Sequence, residues 1–94
     1  MKALTIVTVE YSNNSNLNLI SNNEKSLLKS NGFKGMIESV FNNVSTYLFV
    51  KIEECTDENE ISEKYNFRNQ CVSFDYQPSF NNNIDYLKSI GFKF

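Results

Sequence analysis

Ninety-four residues with a net charge of −2 give one domain with a modest core and leave no room for a second. Apolar residues make up 40% of the chain, with eight Phe and five Tyr, enough for a packed interior despite the many Asn and Ser. Histidine is absent, and with it go the commonest general base, the commonest zinc ligand and every nucleophile that a histidine would activate.

The chain opens on MKALTIVTVEY, whose β-branched residues predict a strand over 3–11, with Val7, Val9 and Tyr11 on one face and Thr8 and Glu10 on a wetter one. From Ser12 to Asn23 it is Asn-rich, anchored only by Leu17, Leu19 and Ile20, which predicts a long loop that in so small a domain is either functional or mobile. Asn23 is placed to cap a helix over 24–31 that stops at Gly32. Next, Met36, Ile37, Val40, Phe41 and Val44 alternate in pairs with Glu38, Ser39, Asn42 and Asn43. That period predicts an amphipathic helix over 35–44. A strand over 33–41 is the alternative, disfavoured because simple alternation puts Glu38 and Val40 on one face.

YLFVKIEE at 47–54 carries bulk on both faces, which predicts a strand at the centre of a sheet. Thr56 is the expected cap of an acidic helix over 57–65, anchored by Ile61 and Tyr65. A further strand over 70–76 sets Val72, Phe74 and Tyr76 on one face and Ser73 and Asp75 on the other, and stops at Pro78. A last helix over 82–90, with Ile84, Leu87 and Ile90 on its apolar side, ends at Gly91 before the terminal FKF. One unit recurs: VTVEY at 7–11 and VSFDY at 72–76 each lead through a polar link to LKSxGFK, at 28–34 and 87–93. The expected architecture is α+β, a small mixed or antiparallel sheet with helices mainly on one face, a ferredoxin-like variant. Its fourth strand would come from 33–41 or the terminal FKF.

Charge is unevenly spread. Glu53, Glu54, Asp57, Glu58, Glu60 and Glu63 lie within 53–63, a segment with no basic residue, while the rest of the chain sets nine basic against five acidic residues. Such a cluster is either a solvated helix start or a surface that selects a basic partner. KYNFRN at 64–69 follows it directly. If exposed, its Tyr65, Phe67 and Arg68 have the composition of a protein-binding hot spot; turned inward, the two rings are core. Three strands end in carboxylates, Glu10, Glu53 with Glu54, and Asp75, and parallel strands would gather them around a magnesium ion. No glycine-rich phosphate loop accompanies them.

Cys55 and Cys71 are too few for a disulfide framework, and no apolar run approaches the roughly 18 residues of a membrane span. These features suit a cytoplasmic protein with reduced thiols. The favoured expectation is a non-enzymatic protein-binding module with no cofactor, metal or catalytic residue, contacting a basic protein through Glu53, Glu54, Asp57, Glu58, Glu60, Tyr65, Phe67 and Arg68. By size and charge it is analogous to small inhibitors such as immunity proteins and phage anti-defence or anti-CRISPR proteins that block a nucleic-acid-handling enzyme. The alternatives are a metal-dependent nuclease or phosphoryl-transfer enzyme using Glu10, Glu53 and Asp75, and a homodimer subunit with an open sheet face.

Overall fold

The computed structural model describes residues 1–12, 24–67 and 69–94. In chain order these form β1 (Lys2–Ser12), the helical residues 24–30 (α1), β2 (Lys34–Phe41), β3 (Val44–Glu54), α2 (Glu58–Lys64), β4 (Gln70–Phe74) and α3 (Pro78–Ser89). Among the described residues the sheet has the order β2-β3-β1-β4, and every neighbouring pair is antiparallel. The domain is therefore α+β, and its connectivity is compatible with a ferredoxin-like variant.

The two central strands are apolar on both faces, as their positions require. Along β1, Ala3, Val7 and Val9 join a core with Phe49 of β3, Leu28 of α1 and Ile61 of α2. The intervening Leu4 joins a second core with Leu48 and Val50 of β3 and Phe80 and Leu87 of α3, with Ile6 packed against it. Because successive strand side chains point to opposite faces, α1 and α2 share one face of the sheet and α3 lies on the other. Two helices thus share a face as expected, but the terminal helix does not join them. The β1 face expected to be wet is dry where α3 crosses it, with Leu4 fully buried. Its polar end begins at Thr8.

The expected helix over 35–44 is a strand. β2 pairs with β3 along its length, and the register passes from Ile37↔Tyr47 to Ser39↔Thr46, leaving Glu38 as one extra residue in β2. This β-bulge resets the alternation at the position that counted against a strand, and produces paired apolar residues without a helix. Asn42 and Asn43 then take φ of 49° and 64° between the paired Phe41 and Val44, a two-residue hairpin whose turn favours asparagine.

The repeated LKSxGFK closes two helices in the same way. Gly32 donates its N–H to the Lys29 carbonyl (3.1 Å) and Phe33 to that of Leu28 (3.1 Å), while Gly91 donates to Lys88 (3.1 Å) and Phe92 to Leu87 (3.0 Å). Both glycines have positive φ, 87° and 115°. Each copy is a Schellman cap whose Leu and Phe are buried in the same core cluster. The first copy serves the α1/α2 core and the second the α3 core.

Two boundaries differ from expectation. β4 ends at Phe74, with Asp75 and Tyr76 in the following turn. α3 begins at Pro78, which occupies the first helical turn, where its missing N–H costs nothing, so the Asn run lies inside the helix.

Candidate functional site

The acidic segment spans the end of β3, a turn and α2, and four of its carboxylates have hydrogen-bonding or charged partners. Asp57, and not Thr56, is the N-cap of α2, accepting from Glu60 N–H at 3.0 Å. Glu60 reaches back to accept from the Thr56 N–H (2.6 Å) and hydroxyl (2.8 Å), a reciprocal arrangement like a capping box. Those two hydrogen bonds hold the Glu60 carboxyl below its ordinary pKa. Glu53 points under α2 with its side chain only 12% exposed. Its Oε1 accepts from Lys64 Nζ at 2.7 Å and its Oε2 lies 3.7 Å from Lys51 Nζ. The hydrogen bond to Glu53 raises the Lys64 ammonium above the usual lysine value. Glu58 and Glu63 are exposed, as is Glu54, which lies 3.9 Å from the N-terminal ammonium.

The aromatic end of the segment turns inward. α2 stops at Lys64, and Tyr65 takes an extended conformation as its C-cap, donating its N–H to the Ile61 carbonyl. Its ring is 4% exposed and meets Phe33 edge to face at 5.2 Å between centroids, while Phe67 meets Phe33 at 5.8 Å. Lys51 Nζ donates to Tyr65 Oη (2.6 Å) and to the Asn31 carbonyl (2.8 Å), tying the aromatic cluster to the end of α1. Tyr65 and the half-buried Phe67 are therefore core residues and supply no exposed hot spot. Arg68 lies outside the described residues, as do residues 13–23 of the Asn-rich loop.

The carboxylates proposed for a metal do not meet. β1 and β3 run antiparallel, with Glu53 opposite Ala3 and Glu10 opposite Thr46. Asp75 sits at the Lys2 end, where its Oδ2 accepts from Lys2 N–H at 3.0 Å. Seven residue steps along β1, about 23 Å, separate Glu10 from Ala3, the partner of Glu53, and Asp75 lies opposite Lys2, one step further. Among the described residues no group of acidic or thiol side chains could hold a metal ion. Cys55 and Cys71 are both free, one buried and one exposed, and burial pushes the Cys55 thiol up in pKa. No helix of the described residues is long and apolar enough to cross a membrane.

A groove that the sequence did not reveal runs between α2 and β4. It is lined by Glu58, Asn59, Ile61 and Ser62 of α2 and by Gln70, Val72 and Phe74 of β4, with a volume of about 280 Å³; Ile61 and Phe74 are buried and Val72 is half-buried. The apolar alternation of β4 signals core, and Phe74 is indeed buried; that Val72 is only half-covered follows from β4 being an edge strand. One surface thus combines exposed carboxylates with a groove of mixed polar and apolar lining. No family model matches the chain, and neither a curated protein nor a solved structure matches it.

Proposed function

We propose that the chain is a non-enzymatic protein-binding module that presents the acidic surface of α2 and the end of β3 to a basic partner. The observation that carries this reading is the division of labour within the acidic segment. Glu53, Asp57 and Glu60 are engaged in folding contacts, whereas Glu58 and Glu63 of α2, and Glu54 beside them in sequence, expose their carboxylates. Structure alone requires the first three. Glu58 and Glu63 add like charge, which disfavours folding and favours capture of a cationic surface, and Glu54 remains largely exposed although it lies 3.9 Å from the N-terminal ammonium.

A nucleic-acid-handling enzyme of the cytoplasm is the partner class that fits, because its phosphate-binding groove is basic and a cluster of carboxylates competes for it. The chain would then act as an inhibitor. The separation of Glu10 from Glu53 and Asp75 counts against the phosphoryl-transfer alternative built on those three carboxylates.

The test is affinity capture with mass spectrometry, using the chain and a Glu54→Lys, Glu58→Lys, Glu63→Lys variant that leaves the helix cap intact. A basic protein is expected to be retained by the native chain, released as salt rises, and not retained by the variant. Retention unchanged by the three reversals would reduce the carboxylates to solvation and end this reading.

A further inference from the structure

Paired antiparallel strands exchange hydrogen bonds at alternate residues, so an edge strand turns every second peptide group outward. β4 shows which ones. Asp75 N–H donates to the Lys2 carbonyl (3.0 Å) and Thr8 N–H to that of Asn69 (3.1 Å), and Leu4↔Ser73 and Ile6↔Cys71 fall on the same alternation. Residues 69, 71, 73 and 75 therefore bond to β1, and Gln70, Val72 and Phe74 point their peptide groups away from it. Those of Phe74 are taken, the N–H by Gln77 Oε1 (2.9 Å) and the carbonyl by Gln77 N–H (2.8 Å). The outward peptide groups of Gln70 and Val72 have no partner among the described residues.

These are also the residues whose side chains line the α2–β4 groove. The geometry points to this groove as the docking site of an extended basic segment of a partner protein, which adds a strand beside β4 under the acidic wall of α2. The inference rests on the protein-binding reading above and names the element that the partner supplies. Main-chain hydrogen bonds to Gln70 and Val72 hold such a strand. Its side chains on the α2 side, two residues apart, run along the half-buried Val72 toward Glu58. A lysine fits both requirements, with an apolar stem along Val72 and an ammonium at the carboxylate.

Charge also decides against a second copy of this chain as occupant. Two β4 strands paired antiparallel are related by an axis normal to the sheet, which sets both α2 helices on the same side of the joint. Glu58 and Glu63 of each copy would approach their counterparts, and like charges repel.

The probe is a six-residue peptide of alternating valine and lysine, titrated into the isotope-labelled chain and followed by backbone amide NMR. The amides of Gln70 and Val72 should shift and exchange more slowly with solvent. Glu58→Lys should weaken binding by about tenfold, a valine–glutamate peptide should not bind, and methylating alternate backbone nitrogens of the lysine peptide should abolish binding. Binding with unmoved Gln70 and Val72 amides overturns the groove while leaving the acidic-surface reading in place. Failure of the lysine peptide to bind a chain that still captures its basic partner, equal binding of the glutamate peptide, or a dimer joined through β4 overturns it as well. Loss of all basic-partner capture is the separate failure of the reading beneath it.

Discussion

Gly35 lies opposite Phe49 in the β2–β3 pair, and a Cβ there would stand 2.4 Å from Phe49 Cε1. The missing side chain makes room for a fully buried ring. Gly35→Ala is expected to cost about 1–3 kcal/mol, measured as a lower urea midpoint at unchanged slope. Because the penalty comes from one contact, combining it with Phe49→Leu should cost less than the sum of the single changes. Gly32 and Gly91 have a different reason to be glycine, the left-handed backbone of a helix end. That reason is local and was legible from LKSxGFK alone. The reason at Gly35 was not, since nothing near it in sequence says that Phe49 lies opposite.

α2 has seven residues and a single buried anchor, Ile61, so its ends matter more than its propensity. The Thr56 hydrogen bonds lower the folded pKa of Glu60. The stabilisation they bring is therefore complete above the unfolded value of about 4.3 and is lost as pH falls through the lower folded value. Glu60→Gln should lower the urea midpoint near neutral pH, and the difference from the native chain should vanish in acid. A difference that persists below about pH 2 would mean that Glu60 acts through packing. The acidic start of α2 was legible in sequence, but the identity of the cap depended on one residue of register. β2 was misread for a related reason. A bulge at Glu38 and a hairpin at Asn42 and Asn43 together imitate the spacing of an amphipathic helix, and only pairing with β3 distinguishes the two.

At the scale of the molecule, the sheet separates two cores. Leu28 and Leu87 occupy the same position in the two copies of the repeat, both fully buried, on opposite sides of β1 and β3. Leu28→Val and Leu87→Val should each cost about 1 kcal/mol for the methylene removed. With no shared packing partners, the double variant should lose the sum to within about 0.5 kcal/mol. A larger departure would show that strain crosses the sheet and that the two cores respond as one. The same layering explains where the proposed binding surface lies. The acidic helix and the free edge of β4 meet on the α1/α2 side, while α3 closes the other.

What the sequence by itself determined is what depends on near neighbours along the chain: the central strand at 47–54 with bulk on both faces, the two glycine-stopped helix ends, the concentration of negative charge in 53–63, and the absence of histidine chemistry. Tertiary structure alone decided which sheet face each helix covers, that Tyr65 is core, that Glu10 lies far from Glu53 and Asp75, and that β4 is an edge strand among the described residues. The physical reason is the same in each case. Caps, turns and charge runs act over a few residues, whereas faces, edges and convergence depend on strand order and direction, which pairings between distant parts of the chain establish.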